Sequence, residues 1–366
     1  MYSNQKVLLL LIFILRYLID KDNQEFIKFE SHILNDIESC PKCFANQSSF
    51  CKRVQLEYEF DENLTNNLNI LFGVRQNRVL NDKNNASKKV FAKYLAKNFD
   101  FSHYKEHKNE MELVKKLSQR FFNETRLEGM QYCPESTVKR FLDVFTKNHT
   151  ELKIWMHMNV NIQPIILPYM HSLGFPVPET YATCGFTIFQ SVDGVPLTDL
   201  YSSDFIIKLQ IARQLLVGAL KFSEGFNGFR IYITDLNKDN VVYNLLENKI
   251  SFVDLDTIFI VDGQQNSKSI HKHKFLECYD CFAFSPSEIC SSGQSDVNIF
   301  SVCQLLRENL LQDRTKGFLY PIPDEFSQLE QMLFECVYCM DGTCENRYRI
   351  AVEMIKNIEE IIKNFK

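Results

Sequence analysis

Tyr232-Ile-Thr-Asp-Leu-Asn-Lys-Asp-Asn-Val-Val242, followed by Val253-Asp-Leu-Asp256, is the part of the chain whose reading decides the fold. It carries a carboxylate at Asp235, an amide at Asn240 and a second carboxylate at Asp254, five and then fourteen positions apart. Hard oxygen donors of this kind divide the work of phosphate chemistry. One carboxylate accepts a hydroxyl proton, while an amide and a carboxylate hold a divalent cation against phosphate oxygens. No covalent step is asked of the protein, so three side chains on a rigid turn and an adjacent strand end are sufficient. Asp and Asn also favour ordinary polar turns, and the turn alone fits that plainer reading as well. Its flanks decide between them.

Upstream, Phe205 to Phe222 repeats Ile206, Ile207, Leu209, Ile211, Leu215, Leu216 and Leu220 at spacings that predict a helix, ended by the glycines of Ser223-Glu-Gly-Phe-Asn-Gly228. Downstream, Asn240-Val-Val-Tyr-Asn244 and Lys249-Ile-Ser-Phe-Val-Asp254 read as two short strands around a polar turn. Helix, polar turn, hairpin and acid follow one another as in protein kinases. Further back, Phe186-Thr-Ile-Phe-Gln-Ser-Val-Asp-Gly194 looks like a strand entering a Gly-marked hinge, where Gln190 and Val192 would offer backbone groups to adenine. Ser295-Asp-Val-Asn-Ile-Phe-Ser-Val-Cys303 resembles the start of a central helix whose Asp296 would brace the catalytic turn; a plain helix-start residue is the other reading. An ATP-anchoring lysine is expected on a strand before the hinge, and Lys89-Val-Phe-Ala-Lys-Tyr-Leu95 supplies Lys93. Its acidic partner is expected on the helix-like stretch Lys108 to Leu117. Glu110 is preferred over Glu106 and Glu112, with a solvated charged face as the alternative for all three.

Two features depart from that pattern. The turn expected before Lys93, around Leu71-Phe-Gly-Val-Arg75, has a single Gly to offer backbone amides to phosphate. Ile233-Thr234 stand where kinases carry His-Arg, which removes the arginine through which an activation-loop phosphate acts. Asp256 adds a candidate cation ligand, although a solvent-facing acid at a strand end is the simpler reading.

The N-terminus and the cysteines speak to compartment. Val7-Leu-Leu-Leu-Leu-Ile-Phe-Ile-Leu15 behind Lys6 suits the apolar region of a secretory signal better than a ~20-residue membrane span, with a retained signal anchor as the alternative. Twelve cysteines agree with an oxidising lumen. Cys40, Cys43 and Cys51 form one group, Cys278 to Cys303 a second, Cys336 to Cys344 a third, and Cys133 and Cys184 stand alone. Cys-x-x-Cys pairs such as Cys40/Cys43 and Cys278/Cys281 could instead bind zinc, but disulfides fit the signal better. Sequons at Asn46, Asn63, Asn85, Asn123 and Asn148 are compatible with N-glycosylation. A net charge of −5 without a Lys/Arg block gives nucleic-acid binding little support. His271-Lys-His273 reads as a surface loop rather than a metal site.

Cys40-Pro-Lys-Cys-Phe-Ala-Asn-Gln-Ser-Ser-Phe-Cys51, Phe175-Pro-Val-Pro-Glu-Thr-Tyr-Ala-Thr-Cys-Gly185, the Asp235 turn and Cys278-Tyr-Asp-Cys281 with the Asp296 helix resemble the divergent protein kinase domain family, in particular its deleted-in-autism protein branch. The likeness runs from about Cys40 to the C-terminus. It implies an α+β, two-lobed, disulfide-stabilised fold with a β-rich N-lobe and a mainly helical C-lobe. The expected organisation is a signal peptide or anchor over 1–22, a Cys-containing segment and N-lobe over 23–190, and a C-lobe over 191–366. Asp235, Lys93 and Glu110 are the implied catalytic residues. Lys93, Gln190, Val192, Asn240 and Asp254 would bind ATP, and Asn240 and Asp254 would hold Mg or Mn. The implied activity is phosphorylation of a hydroxyl on a lumenal or secreted protein or glycan, in a Golgi-associated or secreted glycoprotein that meets membrane only through an uncleaved N-terminus. A catalytically silent kinase fold acting as a secreted ligand or binding module is the alternative.

Overall fold

The computed structural model describes residues 36–38, 40, 43–44, 49–60, 77–96, 109–123, 131–133, 136–264, 271–273, 286–338 and 347–365. The apolar run at 7–15, the turn at 71–75, Glu106, the sequons at Asn46 and Asn63, Cys278, Cys281, Cys339 and Cys344 lie outside them. In chain order come α1 (Ser49–Glu57), β1 (Tyr58–Phe60), β2 (Asn77–Asp82), β3 (Asn85–Tyr94), α2 (Glu110–Asn123), β4 (Gln131–Cys133), α3 (Thr137–Phe145), α4 (Glu151–Val160) and α5 (Gln163–Ser172). There follow β5 (Thr180–Cys184), β6 (Thr187–Ser191), β7 (Val195–Pro196), α6 (Phe205–Glu224), β8 (Phe229–Ile233), β9 (Val241–Asn244), β10 (Lys249–Phe252) and β11 (Ile258–Asp262). Helices α7 (Pro286–Ser292), α8 (Val297–Arg307), α9 (Ser327–Tyr338) and α10 (Arg347–Asn364) complete the chain. Mixed sheets and helices, with paired cysteines, give the α+β class that the sequence suggests.

The chain folds as two compact units. The first takes the described residues up to Asn123 together with 150–160 and 179–192. Its antiparallel sheet has the order β1-β2-β3-β6-β5. Strand side chains alternate between faces, so Val90 and Ala92 of β3 join Phe189 of β6 in a core with Phe50 and Val54 of α1. Each fully buried Phe or Val there contributes roughly 1.5–3 kcal/mol. A disulfide between Cys51 and Cys184 fastens α1 to β5, so Cys184 has a partner that its isolation in sequence hides. Cys40 and Cys43 are bonded to each other, which rules out zinc at that pair. Buried Asp36 accepts hydrogen bonds from the Tyr94 hydroxyl (3.2 Å) and the Phe186 N–H (3.0 Å). The α2 and α4 helices pack together through Phe121 against Trp155, and Asn159 donates to the Leu117 carbonyl at 2.9 Å.

The second unit holds the described residues within 124–149, 161–178 and 193–366. Its spine is α6, buried along Leu209, Ala212, Leu215, Leu216, Ala219 and Phe222, with α8, α10 and β8 packed against it. Gly225 ends α6 at φ 75°, where a Cβ would meet the Phe229 carbonyl, so the turn into β8 requires glycine. A disulfide joins Cys303 of α8 to Cys336 of α9, and Cys290 is also disulfide-bonded. His271 and His273 are buried, contrary to the surface-loop expectation. His271 Nδ1 lies 2.8 Å from Ser295 Oγ, and the His273 N–H donates to Asp296. No helix among the described residues is long and apolar enough to cross a membrane.

Candidate active site

Two strand pairings bring the sequence-named oxygen donors of the second unit together. Strand β8 pairs with β11 so that Ile233 faces Ile258, and β9 pairs with β10 so that Val241 faces Phe252. The turn 234–240 runs from the end of β8 to the start of β9, and the loop 253–257 runs from the end of β10 to the start of β11. Each spans the same two sheets at the same ends, so the two must lie side by side. The pairing of Val195 and Pro196 (β7) with Tyr243 and Val242 completes the second sheet. Gly194 permits that approach, because a Cβ there would sit 2.1 Å from the Tyr243 carbonyl oxygen.

Within the turn, exposed Asp235 accepts from Asn237 Nδ2 at 2.7 Å through one carboxylate oxygen and from Asn240 Nδ2 at 2.9 Å through the other. Asn240 Nδ2 also donates to the Asp235 carbonyl at 2.9 Å, and the Asn240 carbonyl accepts the Val253 N–H at 3.0 Å. Asn237 therefore shapes the turn, taking the Asp239 N–H (2.8 Å) and the Asn240 N–H (3.2 Å) on its Oδ1. The loop 253–257 is tied at its other end as well. The Thr257 carbonyl accepts the Thr234 N–H (3.2 Å) and its hydroxyl, so the residue in place of the usual arginine has a positional part to play. Asp254 is half-buried and Leu255 buried beside it. Asp256 is no solvent-facing acid: its Oδ1 accepts from Asn161 Nδ2 at 2.8 Å and from Gln163 Nε2.

The brace assigned to Asp296 belongs to Asn298, two residues further along and also buried. Asn298 Oδ1 accepts the Ile233 N–H at 2.8 Å, while its Nδ2 donates to the Ile231 carbonyl (2.8 Å) and to Ser223 Oγ (3.0 Å). Asp296 instead accepts the His273 N–H (2.7 Å) and the guanidinium of fully buried Arg347 (2.8 Å). Arg347 further donates to the His273 and Cys336 carbonyls, both at 2.6 Å, and lies over the Phe300 ring. Burial raises the Asp296 carboxyl above its ordinary range although the guanidinium pulls the other way. Burial, then Arg347 and His271, push His273 down to about 3, so its ring is neutral. The Tyr232 hydroxyl accepts the Ser295 N–H at 2.7 Å, which ties the β8 end to the start of α8. Sequence reasoning passed over Asn298 and Arg347. Asn298 follows Asp296 in a stretch already marked as helical, whereas nothing local announces a partner 51 residues away.

In the first unit, Lys93 is buried on β3 opposite Ile188 of β6. By strand alternation it shares the sheet face away from α1 with Gln190, whose own cross-strand partner is Phe91. Gln190 is buried, and its Nε2 has no hydrogen-bond partner among the described residues. Val192 is exposed just beyond β6. Glu110 and Glu112 occupy the first turn of α2, and both are exposed.

Among the described residues, no three His, Cys, Asp or Glu side chains gather as a metal cluster. A magnesium-like ion keeps several waters and takes phosphate oxygens, and so needs only one or two protein carboxylates. The hard-oxygen set of Asp254 and Asn240 fits such an ion.

Residues 154–338 match the family described as the protein-kinase domain of FAM69. The chain belongs to that family. It is also similar to the human protein named Divergent protein kinase domain 2A, at 23% identity over 235 residues, 60% of this chain and 54% of the human one. The proteins of the same name from Xenopus tropicalis and Mus musculus each show 23% identity over 205 residues, 52% of this chain and 48% of theirs. The chain spans about half the length of the curated relatives it matches.

Proposed function

We propose that this FAM69-family chain is a secretory-pathway kinase that transfers the γ-phosphate of ATP to a hydroxyl of a lumenal or secreted protein or glycan. The observation that carries the reading is Asn240, which holds the Asp235 carboxylate with its side chain and the backbone next to Asp254 with its carbonyl. Asp235 takes the acceptor's proton. Asn240 and Asp254 hold Mg or Mn, Lys93 anchors phosphate, Glu110 is its expected acidic counterpart, and the backbone of Gln190 and Val192 meets adenine. When bound, the nucleotide and its cation supply the phosphoryl group and neutralise its charge. The protein's own share is placement: the Asn237 amide orients the Asp235 carboxylate, and Asn298 fixes the strand end before it. Paired cysteines in both units agree with an oxidising compartment.

A second reading, a silent kinase fold serving as a secreted ligand, is favoured by one feature. Both oxygens of Asp235 are already engaged by amides. Turnover of ATP by the full chain, read as phosphate release or self-labelling, separates the two. Asp235→Asn is expected to slow it by about 10²–10⁴-fold with little change in nucleotide affinity. An unchanged rate in that variant refutes the role of Asp235, and no turnover in the unmodified chain favours the binding-module reading.

A further inference from the structure

We propose that Asn161 and Gln163 are positioning residues for Asp254, acting through Asp256. Hydrogen bonds hold the loop 253–257 at both ends and near its middle within the second unit. The Val253 N–H reaches the Asn240 carbonyl at 3.0 Å, the Thr257 carbonyl takes the Thr234 N–H at 3.2 Å, and between them Asp256 Oδ1 receives both amides. Losing the tie at Asp256 releases that carboxylate from the start of α5 and loosens the segment that bears Asp254. The two amides are themselves fixed: Gln163 is fully buried, and Asn161 Oδ1 accepts the N–H of Gln163, the first residue of α5, at 3.0 Å. A charge-assisted pair of hydrogen bonds from a rigid helix start gives the carboxylate one orientation. Buried Leu255 transmits that constraint along the chain to Asp254. Asp256 Oδ1 is thereby engaged by the protein, which gives the second acid of Asp254-Leu-Asp256 a positional part distinct from the first.

The inference rests on Asp254 holding the nucleotide's cation. Titration calorimetry of ATP into the full chain, with Mn²⁺ and with EDTA in its place, measures the cation-dependent gain in affinity. Asp254→Asn defines its complete loss. Asn161→Ser keeps a side-chain oxygen to accept the Gln163 N–H but removes the amide donor, and Gln163→Leu keeps the volume. Each is expected to cut the Mn²⁺-dependent gain by about 10–100-fold, to leave ATP binding in EDTA unchanged, and to speed amide exchange of 254–256 in the ligand-free protein. Full retention of the gain and of slow exchange in both variants, with Asp254→Asn defective, overturns the positioning role and leaves the proposed function standing. Absence of any Mn²⁺-dependent gain in the unmodified chain overturns both.

Discussion

Asn298 joins the helical half of the second unit to the strand before the Asp235 turn with one side chain, accepting from Ile233 and donating to Ile231 and Ser223. Asn298→Leu leaves the Ile233 N–H buried without an acceptor, which costs about 1–3 kcal/mol. Urea unfolding reads that loss, and ATP turnover should fall with it, because Asp235 lies two residues beyond Ile233. Asp36 sets a different dependence in the first unit. Burial raises its carboxyl from an ordinary 3.8 to about 6, against the opposing hydrogen bonds from Phe186 and Tyr94. The folded state therefore binds the proton more tightly than the unfolded chain does. Its contribution is complete below about pH 4 and is lost as pH rises toward 6, a change of about 2–3 kcal/mol. Asp36→Asn keeps an oxygen to accept from Phe186 and has no such titration. Melting temperatures measured from pH 4 to 7 should show the difference between the two proteins shrinking or reversing as pH rises; a constant difference contradicts it.

At the scale of elements, the disulfide from α1 to β5 closes a separation of 133 residues. Replacing Cys51 and Cys184 with Ser should destabilise the first unit by about 2–5 kcal/mol, visible as early loss of hydrogen-exchange protection in β3 and β6. This link also shows where sequence reading stops. The helix Phe205–Glu224, the hairpin of β9 and β10 and strand β3 were legible because apolar spacing and polar turns are local signals. The donors Asp235, Asn240 and Asp254 could be named because their spacing is a property of the chain. Cys184, Asn298, Arg347 and the clamp on Asp256 were not legible in this way. Each is defined by a partner brought close only by folding, and spacing carries no record of it.

For the whole molecule, disulfides in both units agree with an oxidising compartment, and the sequons make the proposed lumenal placement testable. Asn85, at the start of β3, and Asn148, in the turn before α4, are both exposed. Export through a eukaryotic secretory pathway should add glycans at these positions, read as a mass loss on treatment with peptide N-glycosidase that Asn148→Gln reduces. An exported chain whose mass does not change argues against the lumenal placement. Every role proposed for Asp235, Asn240 and Asp254 depends on a nucleotide-bound cation at Asp254, and the most direct measurement is thermal unfolding of the full chain with Mg·ATP or Mn·ATP beside Asp254→Ala. Saturation at about a hundredfold over Kd stabilises by about 2.7 kcal/mol, so the unmodified chain should melt several degrees higher and the variant should not move. An equal shift in both proteins, or none in either, contradicts the account.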